Sequence, residues 1–144
     1  MDGALPAGGF AALTPELDVL DLPRSLDFWT RVLGFRIAYQ RPENGFAYLE
    51  REGAQVMLCA ANGSWDTAPL EKPLGRGVNF QIEVANVSPL LAALAAEPWP
   101  LFRPLHDAWY RAGAAEVGCR QFLVQDPDGY LLRFSQPLGQ RPAA

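Results

Sequence analysis

Arg133 is a permanent cation that lies within a predicted strand, where it needs either a partner or a ligand. The strand follows the turn sequence Asp126–Gly129, in which proline presets φ at the first turn position and glycine supplies the positive φ of a chain reversal. Apolar residues alternate on both sides of the turn, which predicts a β-hairpin. Two roles stay open for the guanidinium: an ion pair with an inward-facing acid such as Glu16 or Glu83, or hydrogen bonds to the carbonyl or carboxylate groups of a ligand.

Other side chains capable of chemistry are scattered along the chain. Cys59 and Cys119 lie in separate strand-like runs with no histidine predicted beside them, so we expect two unactivated thiols rather than a nucleophile or a disulfide. His106 and Asp107 are neighbours in a predicted strand, where successive side chains point to opposite faces. We therefore expect a surface histidine rather than an acid–base pair.

Aromatic residues beside small residues indicate a rim that binds a flat ligand. Trp65 lies in a segment rich in glycine and proline, and Trp109 and Tyr110 lie near a strand end. Exposed rings of this kind stack on planar ligands. Three acidic residues nearby favour a cationic ligand: Asp66, Asp107 and Glu116.

The elements that position these residues occur twice along the chain. Each half begins with a strand and a helix with proline near its start, in LDVLDLPRSLDFWTRVLGF from Leu17 and in IEVANVSPLLAALAAEPWP from Ile82. Strand-like runs follow near residues 35–41, 45–51 and 54–60, and again near 101–110, 116–125 and 130–136. The sequence predicts one α+β domain over residues 1–144, with a first β-α-β-β-β repeat at about 12–60, a linker at about 61–76, a second repeat at about 77–137 and a frayed tail after Pro137.

Strand parity predicts an apolar and a polar face for the sheet. Ile82 and Val84 face the helices, whereas Asn79 and Gln81 share the opposite face with Arg133. We expect a curved mixed sheet with the helices outside and the polar face around a ligand cavity. The alternative is a polar face that is merely solvated.

Size and charge narrow the class of function. A chain of 144 residues is one domain's worth, and its net charge of −4 without basic runs argues against a nucleic-acid partner. The N-terminal residues lack the basic start and apolar core of a signal peptide, and no apolar stretch is long enough to span a membrane. We expect a cytoplasmic protein with no membrane partner.

The strand–helix segment LDVLDLPRSLDFWTRVLGF, the closing hairpin FLVQDPDGYLLRF and the doubled element order resemble the vicinal oxygen chelate superfamily over about residues 12–137. That superfamily includes glyoxalase I, extradiol dioxygenases and bleomycin-resistance proteins. The segments SWDTAP and WYRAGAAEVGCRQFLVQDPDGYLLRF most closely resemble its bleomycin-resistance-like branch. The resemblance implies a homodimer that holds a drug between its subunits without chemistry.

Enzymes of this superfamily hold a divalent metal, and the resemblance places their ligand positions at Thr14, Met57, Asn79 and Arg133. Arginine has no lone pair to give, methionine sulfur is too soft for an oxygen and nitrogen site, and threonine or asparagine binds weakly. No metal or other cofactor is therefore expected.

These observations favour a metal-free dimer that sequesters a small aromatic, bleomycin-like ligand and so confers antibiotic resistance. The expected ligand-binding residues are Trp65, Asn79, Gln81, Trp109, Tyr110, Arg133 and Met57. The alternative from another class is a divergent metal-dependent enzyme of the glyoxalase (lyase) or dioxygenase kind, in which Glu16 or Glu83 supplies a ligand in a shifted register. A binder of an unrelated ligand is a third possibility.

Overall fold

A computed structural model describes residues 3–144, which divide into two compact units. The first unit is the chain up to Leu74 together with Asp126–Gly129, and the second is Gly75–Gln125 with Tyr130–Ala144. Each unit has a four-stranded mixed sheet built in the order strand, helix and three strands. The predicted α+β class and the repeated β-α-β-β-β order are confirmed. No helix in the described residues is long and apolar enough to cross a membrane.

The first unit contains β1 (Glu16–Val19), α1 (Leu22–Asp27), β2 (Arg36–Arg41), β3 (Phe46–Arg51) and β4 (Ala54–Ala60). Its sheet has the order β1-β4-β3-β2, with β1 parallel to β4 and the other pairs antiparallel. Asp21 caps α1 by accepting a hydrogen bond from the Arg24 backbone amide at 3.2 Å. A π-helical turn over Phe28–Val32 continues α1 and buries Trp29.

The hairpin turn Asp126–Gly129 packs within this first unit. The Asp126 carboxylate accepts a hydrogen bond from the Trp29 indole at 3.1 Å, and the Asp128 carboxylate accepts one from the Leu20 backbone amide at 3.0 Å. Gly129 has a φ of +100°, and its amide donates to the Asp126 carbonyl at 3.0 Å. The predicted turn is confirmed, and its two buried acids serve structure because each accepts a hydrogen bond from the first unit.

The second unit contains β5 (Asn79–Glu83), α2 (Ser88–Ala96), β6 (Arg103–Ala112), β7 (Ala115–Gln125) and β8 (Leu131–Pro142). Its sheet order, β5-β8-β7-β6, repeats that of the first unit, with β5 parallel to β8. Alternate residues of these strands build a buried apolar face, which includes Ile82, Phe122, Val124, Leu132 and Phe134. The predicted division of the strands into an apolar and a polar face is confirmed.

The expectation of a frayed tail after Pro137 is wrong. Strand β8 continues to Pro142 and pairs with β7 as far back as Ala115. A shift of register between Gly118 and Cys119 accommodates the irregular sequence. Prolines and a glycine hide the alternating pattern in this segment, so the pairing depends on backbone groups that β7 leaves available.

Candidate functional site

Polar side chains from all four strands of the second unit meet on one face of its sheet. Gln81 is the register partner of Arg133, and Arg133 is in turn the partner of Leu123 on β7. Gln121, which precedes Leu123 by two residues on β7, is the partner of His106 on β6. Because register partners on neighbouring strands point to the same face, the face is polar across its width.

This face holds a cavity of about 290 Å³. Three apolar residues line part of it, Phe102, Leu123 and Leu131. The polar lining residues are Asn79, Arg103, His106, Tyr110, Gln121 and Arg133. Two of these residues are arginines and none is an acid, so the lining carries positive charge.

Gln121 fixes the orientation of two polar groups in the cavity. The side chain is buried, and its amide nitrogen lies 2.6 Å from the Tyr110 hydroxyl oxygen and 3.1 Å from His106 Nε2. His106 Nδ1 lies 3.0 Å from the Pro104 carbonyl oxygen, which can only accept, so Nδ1 carries the proton and Nε2 accepts from Gln121. The Tyr110 oxygen also accepts from Gln121, which leaves its hydroxyl proton for another acceptor.

Arg133 contributes a buried, unpaired donor to the lining of the cavity. Its Nε is buried and has no hydrogen-bond partner among the described residues. Glu83 lies on the same sheet face, but it is exposed, it is the register partner of Ser135, and it forms no ion pair with Arg133. The ion pair with Glu83 that the sequence left open is not formed.

The structure brings together some of the residues that the sequence proposed for ligand binding. Asn79, Tyr110 and Arg133 line the cavity, and Gln81 lies on the same sheet face. Trp109 points to the other face, where its ring packs against Gly118 and lies 4.1 Å from the Arg141 guanidinium carbon. Met57 and Trp65 belong to the first unit, and the Trp65 side chain is 68% exposed.

Aromatic residues fill the corresponding face of the first unit. Tyr48 and Cys59 are buried there with Ala38 and Phe46, and the partly buried Tyr39 and Met57 pack against them. The Tyr39 and Tyr48 rings stack with their centroids 5.1 Å apart, and the Arg41 guanidinium lies 3.9 Å from the Phe46 ring centre. Through these ring–ring and cation–π contacts, the side chains of this face pack against one another.

The N-terminal segment, residues 3–14, covers this aromatic face. Phe10 meets Tyr48 edge-to-face at 5.4 Å, and Ala7 donates its backbone amide to the Glu50 carboxylate at 3.1 Å. The Gln55 side chain accepts from the Ala11 amide and donates to the Gly9 carbonyl, both at 2.8 Å. Glu50 and Gln55 of the first-unit face therefore find partners within the same unit.

Burial, together with neighbouring acidic residues, raises two pKa values in the first unit. Burial raises the pKa of Asp18, and a hydrogen bond with Asp66 and the charge of Glu16 raise it further. Burial also raises the pKa of the Cys59 thiol, with the charges of Glu16 and Asp18 adding to the effect. Cys59 is therefore a poor nucleophile at neutral pH.

The residues at the expected metal positions do not fit a divalent metal. Thr14 was expected opposite Met57, but the register partner of Met57 is Glu16. Thr14 precedes β1, and its hydroxyl oxygen lies 3.3 Å from the Tyr48 hydroxyl oxygen. Within residues 3–144, no three His, Cys, Asp or Glu side chains lie close enough together to hold a metal ion. At the corresponding place in the second unit Arg133 offers a cation where a metal needs an electron pair.

Sequence reasoning missed six of the nine residues that line the cavity: Phe102, Arg103, His106, Gln121, Leu123 and Leu131. Gln121 could have been found, because it alternates with Leu123 and Gln125 along one strand face. Arg103 could not, because the register of β6 shifts between Arg103 and His106 and alters which side chains share a face. His106 was expected at the surface, and it is exposed although its ring lines the cavity.

A family model described as the Glyoxalase/Bleomycin resistance protein/Dioxygenase superfamily matches residues 14–134. The chain belongs to this superfamily, as the resemblance of its strand–helix segment and closing hairpin implied. A search of curated proteins gives no significant match.

Several solved structures are similar to this chain. TioX from Micromonospora sp. ML1 is 25% identical, with a TM-score of 0.68 over 90% of this chain and 100% of that one. A superfamily member from Vibrio splendidus 12B01 is 38% identical over 85% of this chain and 95% of its own, with a TM-score of 0.39. A lactoylglutathione lyase from Agrobacterium tumefaciens is 16% identical over 88% of this chain and 92% of its own, with a TM-score of 0.57, and shares the fold.

Proposed function

We propose that this protein binds a small aromatic molecule in the cavity of the second unit and sequesters it without a metal. The observation that carries this proposal is the buried Nε of Arg133, which has no hydrogen-bond partner among the described residues. A buried donor left unpaired costs about 1–3 kcal/mol, and more for a charged group. A ligand that accepts a hydrogen bond from this nitrogen would recover that free energy.

The size and lining of the cavity support a ligand with one or two rings. Its volume of about 290 Å³ lies at the lower end of the roughly 300–1,000 Å³ of small-molecule sites. Phe102 offers a ring face at its edge, and Leu123 and Leu131 supply apolar contacts. A bleomycin-like compound would therefore place one ring system in the cavity, with the rest of the molecule outside.

Sequestration in a cytoplasmic homodimer, and with it antibiotic resistance, extends this proposal. It draws on the bleomycin-resistance part of the family name and on the exposed Trp65 ring, which suits a second binding surface. The metal-dependent enzyme alternative would need further ligands beside Glu16, the register partner of Met57, and no three His, Cys, Asp or Glu side chains among residues 3–144 lie close enough together to hold a metal ion.

The proposal can be tested by nitrogen-15 NMR of chelator-treated protein. Aromatic compounds of one or two rings, together with metal-free bleomycin, would be titrated while the side-chain amides of Asn79 and Gln121 are observed. We expect saturable shifts of these two amides at one ligand per chain, and a dimer by light scattering. If both amides stay unchanged with every compound, the cavity is not a ligand site and the proposal fails.

A matched pair of variants locates the site. Leu123→Trp fills the cavity and should abolish the shifts, whereas Trp65→Ala removes an exposed ring outside it and should preserve them. The opposite pattern would move the binding site to the first unit.

A further inference from the structure

We infer that the ligand of the second-unit cavity carries a carboxylate, which the Nε–Nη edge of Arg133 binds with two parallel hydrogen bonds. The inference rests on the proposed function, because it names the chemical class of the ligand for that same cavity. It is carried by the charge of the lining, the buried and unpaired Nε of Arg133 and the orientation of Tyr110.

The charges around the cavity favour an anion. Arg103 and Arg133 both line it, and no acid does. Asp107 belongs to the other strand parity and pairs with Arg120 at 2.8 Å, and Glu83 lies beside Ser135 at the exposed end of β5. A ligand cation would meet two guanidinium groups, so the site disfavours the cationic ligand that the nearby acids in the sequence suggested.

The geometry of Arg133 selects a carboxylate over a neutral carbonyl. An arginine binds a carboxylate through two N–H groups on one edge, and the Nε–H is one member of the fork. In Arg133 this Nε is buried and has no partner among residues 3–144. A neutral carbonyl has one oxygen and engages the fork singly, whereas a carboxylate engages both donors.

Tyr110 supplies a further donor to the same ligand group. Its oxygen accepts a hydrogen bond of 2.6 Å from the Gln121 amide, so its hydroxyl proton is directed elsewhere. Gln121 in turn is held by His106, whose Nδ1 proton is bound to the Pro104 carbonyl. The cavity lining therefore offers a ligand the paired N–H groups of Arg133 and the hydroxyl proton of Tyr110, and it contains no acid that would compete for them.

Isothermal titration calorimetry with four probes of nearly equal size tests this inference. The probes are 2-naphthoate, 2-naphthamide, 2-naphthylmethylammonium and 2-naphthyl phosphate. We expect 2-naphthoate to bind about ten times more tightly than the amide, because charge-assisted hydrogen bonds are about twice as strong as neutral ones. The ammonium probe should bind most weakly.

Variants connect the preference to Arg133. Arg133→Gln should weaken 2-naphthoate by about tenfold or more and weaken 2-naphthamide clearly less, because the neutral carbonyl engages the fork singly. Arg111→Gln is the matched control, because Arg111 is exposed on the same sheet with the other parity, and it should change neither affinity. Should Arg133→Gln fail to fold by circular dichroism, Arg133→Lys keeps the charge but removes the fork and should weaken 2-naphthoate by about threefold or more.

The outcomes separate this inference from the proposed function. Equal binding of 2-naphthoate and 2-naphthamide, tighter binding of the ammonium or phosphate probe, or unchanged 2-naphthoate affinity in both Arg133 variants would overturn the carboxylate while leaving a small-molecule site. No binding of any of the four probes, together with unchanged Asn79 and Gln121 amides, would overturn both.

Discussion

The two units of this protein share one topology but use the same face of the sheet in opposite ways. In the first unit Tyr39, Phe46 and Tyr48 fill the face, and the N-terminal segment covers it. In the second unit the face is polar, and Arg133 stands at the place that Met57 occupies in the first. The topology therefore fixes positions, and the residue types decide whether a position stabilises the fold or remains available to a ligand.

The difference extends to the partners of the polar groups. On the first-unit face Glu50 and Gln55 bond to backbone groups of residues 3–14, so little is left for a ligand. On the second-unit face Gln121 uses its amide hydrogens to orient Tyr110 and His106, while Arg133 Nε keeps its donor unpaired. The buried, unpaired donor of Arg133 makes the second-unit face the one better suited to binding.

Deleting residues 1–13 gives the largest expected effect, because it uncovers the aromatic face of the first unit. Four backbone or side-chain hydrogen bonds to Ala4, Ala7, Gly9 and Ala11 would be lost with the Phe10 ring contacts. At about 0.5–1.5 kcal/mol for each, partly replaced by water, the free energy of unfolding should fall by roughly 2–4 kcal/mol. Urea denaturation of the full-length and shortened proteins measures this free energy of unfolding.

Deletion of residues 143–144 is the control at the other end of the chain and should have a much smaller effect, because it removes one backbone hydrogen bond, from the Ala143 amide to the Ala114 carbonyl at 3.0 Å. The deletion of residues 1–13 should also make the protein bind a hydrophobic dye, because the aromatic face becomes accessible. A shortened protein with unchanged stability would show that the first-unit face does not depend on the segment.

Two tyrosine substitutions should produce opposite results in the two units. Tyr110→Phe removes a donor from the cavity and should weaken 2-naphthoate by about 5–10-fold, which is about 1 kcal/mol, with little change in stability. Tyr48→Phe removes a hydroxyl that bonds to Gln55 and should lower the free energy of unfolding by about 1 kcal/mol, with unchanged 2-naphthoate affinity. Calorimetry and urea denaturation of both variants give four values. Equal effects of the two substitutions in either assay would remove the distinction between the faces.

Asp18→Asn should stabilise the protein modestly at neutral pH. The pKa of Asp18 is raised by burial, so the folded state holds the proton more tightly than the unfolded chain, and stability falls as pH rises from the ordinary 3.8 through the raised value. The substitution removes this loss and should raise Tm at pH 7 by roughly 1–3 °C, as expected for less than about 1 kcal/mol in a chain of this size. Below pH 3.8 the two proteins should melt together. A lower Tm at pH 7 would contradict the burial of the charge.

Asp107→Asn in the second unit should give the smallest effect and the opposite slope with pH. Hydrogen bonding to Arg120 lowers the pKa of Asp107, so any stability it contributes is present above the ordinary pKa and is lost as pH falls through the lowered one. The pair is solvent-exposed, and exposed ion pairs contribute little. Thermal melts at pH 7 and in high salt should differ from wild type by about 1 °C or less. A loss of several degrees that salt abolishes would show a coupled surface network.

Sequence patterns predicted much of this fold because the relevant signals are local. The alternation of apolar residues and the proline and glycine at the turns placed seven of the eight strands closely, and the repeated strand–helix segments revealed the twofold organisation. The extension of β8 to Pro142 was missed, because prolines and a glycine carry no alternating pattern. The end of β8 pairs with β7 because β7 is long enough to reach it, and the residues of β8 alone do not indicate the length of β7.

The candidate site was predicted in part. Parity placed Asn79, Gln81 and Arg133 on one face, because they lie on regular strands whose register partners also follow parity. Trp109 was assigned from its type and neighbours rather than from parity, and it packs on Gly118 on the other side of the sheet. An aromatic residue type suggests that a side chain is exposed to a binding partner. Its position in the alternation along the strand, however, decides which face of the sheet it occupies.

The sequence alone determined the class and the repeats, because those depend on local patterns of residue type. Only the tertiary structure decided which face is filled, which residues join Arg133 and which donors stay unpaired. Those properties depend on side chains from strands far apart in sequence, whose approach is set by register and bulges. The negative charge that we propose for the ligand rests on that approach, because a pair of arginines lines the cavity while the nearby acids lie off its lining.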